Sequence, residues 1–186
     1  MGRNNSDEWV LQPEKLECFV STTRMDIVDH LAGRGAMSIK ELASAVGKRP
    51  SSLYHHIEKL EAAGLICESG ARTVNRKHER LYATPSRRMR LKRALEDDAN
   101  RDVMRRVVAS LARQTERDFT RGQECRNAEP SGEERNLGFY RMVAKPGSER
   151  LRRINALLDE LGELMWEEGE AEDDAVVLTW VMAPSG

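Results

Sequence analysis

The stretch from Ser38 to Gly64 constrains the fold more than any other, because it holds two helix signatures with almost no room between them. Ser38 is an N-cap residue with Glu41 three positions on as its capping-box partner; Leu42, Ala43 and Val46 supply an inner face and Gly47 stops the helix. Lys48-Arg49 is a two-residue step. Pro50-Ser51-Ser52 then opens a helix running to about Ala63, whose stripe of Leu53, Ile57 and Leu60 keeps helical spacing. Gly64 follows in the position that favours a left-handed cap.

The flanks complete the pattern. Pro13 to Val20 predicts a short helix, with Pro at its first position and acids in the first turn. Ser21 or Thr22 caps a second helix carrying Met25, Ile27, Val28 and Leu31, ended by Gly33 and Gly35, and Met37-Ser38-Ile39 is a short extended link. After Gly64, Leu65 to Ser69 predicts a strand and Arg80 to Thr84 its return partner, with a polar, basic hairpin loop from Gly70 to Glu79. Helix, helix, tight turn, helix and hairpin make a winged helix-turn-helix over 13–85, preceded by a flexible segment over 1–12.

From Pro85 the composition changes. A helical linker or dimerisation region is expected over 86–121, interrupted near Asp97 to Asn100 and then carrying Val103, Met104, Val107, Val108, Leu111 and Phe119. Gly122 to Asn136 is a polar loop. Leu137 to Val143 and Ala175 to Met182 are strand candidates around a helix capped by Ser148, with Leu151, Ile154, Leu157, Leu158, Leu161, Leu164 and Met165 as its stripe. These define an α+β accessory domain over 122–186. The fold class is mainly α with a small β component: an N-terminal winged helix-turn-helix and a helical or α+β C-terminal region.

Charge divides the chain in the same way. The formal net charge of the 186 residues is −1, but 1–93 carry 17 Lys/Arg against 11 Asp/Glu and 94–186 carry 13 against 20. A positive half followed by a negative half points to different partners. No apolar run approaches the roughly 20 residues of a membrane span, and the N-terminus lacks the apolar core of a signal peptide. Met1-Gly2 with Ser6 fits the loose myristoylation pattern, which is too common to weigh. Cys18, Cys67 and Cys125 lie far apart without CxxC spacing, which favours reduced thiols in the cytoplasm over disulfides or structural zinc.

Two features carry binding chemistry. With Leu53, Ile57 and Leu60 inward, the helix from Pro50 turns Ser51, Ser52, Tyr54, His55, Glu58 and Lys59 outward. Its N-terminal end suits a DNA major groove, where Ser and His reach base edges, Tyr54 packs on a thymine methyl or reaches phosphate, and the helix dipole favours phosphate. Arg49 and Lys59 are phosphate candidates. His55 and His56 point about 100° apart, unlike ligands at i and i+4, so no metal is expected there; His56 reads as a helix-packing residue. The second feature is the run from Arg72 to Arg93, with nine bases against Glu79 alone. Arg72, Arg76 and Lys77 on such a wing would follow the backbone or enter the minor groove. Against these stands a plainer account, in which the serines start a helix and the charges are solvated.

The residues from Pro13 to Pro85 resemble winged helix-turn-helix regulators of the arsenic-repressor-like (ArsR-like) type. The carrying residues are Ser21 to Ile27, Ser38-Ile39-Lys40-Glu41-Leu42-Ala43, and above all Pro50 to Ile66, which is similar to that family's recognition helix and its exit into the wing. The resemblance covers about 75 of the 186 residues. It implies a prokaryotic homodimer that binds operator DNA. Metal-sensing members carry a cysteine pair on the third helix, where this chain has Glu41-Leu42-Ala43-Ser44-Ala45, which argues against arsenic, cadmium or lead sensing there. The added C-terminal residues also depart from the family's smallest members.

In that added half, Met104, Val107, Val108 and Leu111 suit either a two-helix dimer interface or packing within the subunit. The C-terminal region is a candidate site for a small-molecule or protein effector, with Phe139, Tyr140, Trp166 and Trp180 as pocket or core residues. Nine acids and no base between Asp159 and Asp174 form a solvated face that does not bind DNA. No GxSxG elbow, phosphate-binding glycine loop or HExxH pair occurs, and no carboxylate stands out as a tuned acid or base. The expected function is sequence-specific transcriptional regulation on double-stranded DNA, without catalysis or cofactor. A winged-helix module that holds a protein partner is the alternative.

Overall fold

The computed structural model describes residues 8–9, 12–74, 76–86, 89–90, 92–167 and 175–184, with backbone only at 8–9, 77, 89–90 and 92–93. The chain divides into two compact units, Met1–Gln114 and Thr115–Gly186.

The first unit is a winged helix-turn-helix. Helices α1 (Pro13–Cys18), α2 (Thr22–Arg34), α3 (Ile39–Ala45) and α4 (Pro50–Ala62) surround one core, and strand β2 (Met37–Ser38) joins β3 (Cys67–Val74) and β4 (Lys77–Ala83) in an antiparallel sheet of order β2-β4-β3. The capping box forms as expected: Glu41 N–H donates to Ser38 Oγ at 3.4 Å and Ser38 N–H to Glu41 Oε2 at 2.8 Å. Leu53, Ile57 and Leu60 of α4 are buried with Leu16, Ile27, Leu31, Leu42, Leu65 and Ile66. Burying side chains of this size is worth about 1.5–3 kcal/mol each, so the position of α4 is set by its apolar stripe.

The hairpin differs from expectation. Residues 70–79 are not a long loop; β3 and β4 pair from Cys67↔Ala83 out to Val74↔Lys77, leaving only 75–76 between them. Every residue of β3 is exposed, so no apolar alternation announces the strand. A register shift between Glu68 and Gly70 bends it, with Gly70 at φ 121°.

Segment 1–12 was expected to be flexible; 1–7 and 10–11 lie outside the described residues, while Glu8–Trp9 (β1) pairs in parallel with Met89–Arg90 (β5). The helical stretch expected from Pro85 to the interruption near Asp97 is instead β5 and two 3-10 turns, Lys92–Glu96 and Asp98–Asn100. Asp97 caps the second of those turns, its side chain accepting from Ala99 N–H at 2.9 Å and its carbonyl from Asn100 N–H at 3.0 Å. Helix α5 (Arg101–Glu124) then begins. Its Val103, Met104 and Val107 are buried in the core of the first unit, Ser110 Oγ donates to the Val20 carbonyl, and Arg106 grips Glu17 through both guanidinium NH2 groups. Packing within the subunit is therefore the observed role of these apolar positions.

In the second unit the long regular element is α6 (Gly147–Trp166), with the end of α5 before it. The strands expected over 137–143 and 175–182 are absent; both stretches lack regular secondary structure. The aromatic residues of the first and the valines of the second favour extended backbone, but among the described residues neither has a neighbouring strand to satisfy its amides and carbonyls. The described part of 122–186 is thus helical and irregular rather than α+β. The helix starts after Pro146, without a side-chain cap from Ser148. Phe119 meets Phe139 edge-to-face at 6.0 Å, and Asn136 ties its loop through Glu129 N–H at 2.8 Å and the Asn127 carbonyl at 2.9 Å. Phe139, Tyr140, Trp166 and Trp180 are all exposed, so they form neither core nor an enclosed pocket.

Candidate nucleic-acid interface

The turn between α3 and α4 is short because both helix ends are fixed locally. Gly47 takes φ 65°, Lys48 N–H donates back to the Ala43 carbonyl at 2.9 Å, and Pro50 occupies the start of α4. That leaves Arg49 exposed at the N-cap and sends Ser51, Ser52, Tyr54, His55, Glu58 and Lys59 to solvent, as their spacing predicts. Tyr54 is 56% exposed, large for an aromatic ring on a structured helix. The first turn of α4 contains no acid, so its positive dipole end is open to an anion.

The hydroxyl of Ser52 donates to the Arg49 carbonyl at 2.7 Å. Its hydrogen is therefore committed, and toward a ligand it presents acceptor lone pairs. Ser51 and His55 share the same exposed end. His56 turns away and is half-buried, and its Nδ1 has no hydrogen-bond partner among the described residues. Burial pushes the His56 pKa down, helped by the positive charges of Arg24, His55, Lys48 and Lys59. The two rings stand 6.1 Å apart and tilted by 59°. Among the described residues no three His, Cys, Asp or Glu side chains gather as metal ligands would.

The wing separates its cations into two kinds. Arg72 lies 2.7 Å from Glu41 on α3 and 3.5 Å from Glu79 across the hairpin, and its guanidinium also reaches Ser38 Oγ at 3.5 Å. Lys40 closes the cluster by pairing with Glu79 at 2.5 Å. The hydrogen bond from the Ser38 amide, and then the Arg72 guanidinium, hold Glu41 below its ordinary pKa; Lys40 does the same for Glu79. Arg72 is thus engaged by two carboxylates. Arg76, in contrast, is exposed at the turn with φ 62°, the one non-glycine residue in left-handed backbone among those described. A two-residue connection between antiparallel strands favours positive φ, so the tight turn itself accounts for this backbone and leaves the Arg76 side chain at the tip of the wing. The Lys77 side chain, all of Arg87 and Arg88, and the side chains of Arg90, Lys92 and Arg93 lie outside the described residues.

Sequence reasoning placed the exposed face of α4 and the tip of the wing, but missed the Lys40–Glu79–Arg72–Glu41 cluster. Its members come from three elements, and a capping-box glutamate gives no local sign that it also holds an arginine of the wing.

Residues 20–66 match a family described as a helix-turn-helix domain. The match runs from the start of α2 to the exit from α4, so family and geometry agree on the element that presents Ser51 and His55. No protein of curated function matches the chain. Among solved structures, a transcriptional regulator of the MarR family from Silicibacter pomeroyi aligns over 81% of this chain and 76% of its own, at 18% identity and a TM-score of 0.33. That likeness is too distant to carry an argument. Among the described residues no helix is long and apolar enough to cross a membrane.

Proposed function

We propose that the protein is a sequence-specific DNA-binding transcriptional regulator of the ArsR-like kind, a prokaryotic, cytoplasmic homodimer that reads a near-palindromic operator. The observation that carries this is the exposed N-terminal face of α4, acid-free in its first turn, within a helix-turn-helix whose wing offers Arg76 at its tip. Ser51, Ser52, Tyr54 and His55 face base edges, Arg49 and Lys59 touch phosphates, and Arg76 with Lys77 follows the backbone or the minor groove. The domain boundaries belong to the same proposal: DNA binding within 13–85, a helical connection over 86–121, and an accessory region over 122–186 that takes part in assembly or binds a small-molecule or protein effector.

Fluorescence anisotropy on the upstream DNA of its own gene and on a scrambled duplex, at two salt concentrations, tests it. Preference for the upstream DNA by about 10³-fold or more at matched salt is expected. Weak, steeply salt-dependent binding to both would reduce the protein to a basic surface. Binding to neither duplex would transfer the fold to the holding of a protein partner.

A further inference from the structure

Helix α6 is amphipathic, yet none of its residues is buried. Leu151, Ile154, Leu158, Leu161 and Met165 recur at alternating spacings of three and four, the a and d positions of a heptad, and Leu157 and Leu164 widen the stripe on one side. Of the stripe, Ile154 is 38% and Leu164 57% exposed. A leucine stripe of this length, rimmed by charge, marks an association surface.

The charges identify the occupant. The first half of α6 carries Arg150, Arg152 and Arg153 against Glu149; the second half and its cap carry Asp159, Glu160, Glu163 and Glu167 with no base. This order opposes the helix dipole, which favours acids at the N-terminus and bases at the C-terminus. It disfavours α6 as a lone helix, and it suits two identical helices running in opposite directions.

We propose that α6 pairs antiparallel with the α6 of a second copy of this chain. Matching the heptad positions brings Leu151 level with the partner's Leu161 and Ile154 level with the partner's Leu158. Arg153, flanking the stripe on the Leu157–Leu164 side, then comes within about 1.5 Å along the axis of the partner's Glu160. Twofold symmetry makes that ion pair twice. A parallel pair would set Arg153 beside the partner's Arg153, and a foreign partner would need no such self-complementarity. The inference rests on the homodimer of the proposed function and names its surface, since Val103, Met104 and Val107 of α5 are already buried in their own unit.

Sedimentation of the full chain without DNA tests it. The unaltered protein sediments as a dimer. Arg153→Glu and Glu160→Lys each weaken dimerisation about tenfold, because each places like charges together twice. An equimolar mixture of the two variants recovers the dimer, since both contacts in the heterodimer join opposite charges. Leu158→Asp with Leu161→Asp gives a monomer whose helical circular dichroism and cooperative melting show a folded first unit. A monomeric unaltered chain, a dimer indifferent to Arg153→Glu, or a mixture that fails to recover overturns the proposal. A protein that binds its operator while its dimer ignores these changes refutes this interface and leaves the regulator intact. A dimer that responds as stated but selects no DNA refutes the regulator and leaves the interface.

Discussion

Arg72 on β3 and Glu41 in the first turn of α3 stand 2.7 Å apart, so the wing is fastened to the helix that precedes the recognition turn. Because Glu41 also accepts from the Ser38 amide, one carboxylate caps the start of a helix and pairs with an arginine of the hairpin. The sequence assigns Arg72 to the DNA backbone or minor groove; in the structure its guanidinium lies beside two carboxylates of the protein itself.

Arg72 and Arg76 are therefore expected to behave differently. Arg76→Ala should weaken binding to specific and scrambled duplexes about evenly and reduce the salt slope by about one. Arg72→Ala should lower affinity by freeing the wing while leaving the salt slope closer to that of the unaltered protein. Anisotropy titrations over a salt series separate the two, and equal drops in slope would refute the bracing role of Arg72.

On α4, Ser52 and His55 are expected to act on sequence preference. With its hydrogen committed to the Arg49 carbonyl, Ser52 presents an acceptor, which suits a cytosine or adenine amino group. Ser52→Ala should reduce discrimination at a position reading such a group, and His55→Ala should relax preference for guanine. Selection from a randomised duplex pool reads both directly. An unchanged selected motif, with affinity lost uniformly, would make these residues phosphate contacts.

Gln114 of α5 donates to the buried carboxylate of Asp26 on α2, a polar contact inside the first unit. Removing the amide leaves that carboxylate with one donor fewer where water is scarce. Gln114→Ala should cost about 1–3 kcal/mol, read as a lower urea midpoint. Asp26→Asn keeps an oxygen acceptor for Gln114 and should cost less. A Gln114→Ala protein as stable as the parent would show that solvent replaces this bond freely.

The contrast between α4 and the wing shows where sequence is legible. Ser38, Glu41, Gly47, Pro50 and Gly64 act on backbone within a few residues of themselves, so their effects are written locally. The inner ends of Cys67–Val74 and Lys77–Ala83 are legible, Tyr82 being buried in the core, whereas their outer parts at 70–74 and 77–79 are held by cross-strand pairing, and periodicity gives no warning of those. The opposite error occurs at 137–143 and 175–182, where aromatic and Val-rich composition respectively suggests strands that find no pairing partner among the described residues. Lys40, Glu79 and Arg72 meet only after folding, so no spacing announces their cluster. In α6 the leucine spacing predicts the helix correctly but does not say what covers it.

His56 supplies a pH test of the packing behind the recognition helix. Burial, and then the charges of Arg24, His55, Lys48 and Lys59, depress its pKa in the folded protein, while the unfolded chain keeps a value near about 6.5. As pH falls through that value the unfolded state takes up the proton first, so its contribution to stability is full above about pH 6.5 and is lost toward the lower folded value. Below the folded value both states are charged and the dependence ends. Urea midpoints measured between about pH 5 and pH 8 should therefore fall on acidification, and fall less in His56→Gln, which cannot titrate. Parallel curves for the two proteins would remove His56 as a source of that dependence and return the acid limb to the carboxylates whose pKa values are lowered, Glu41 and Glu79 among them.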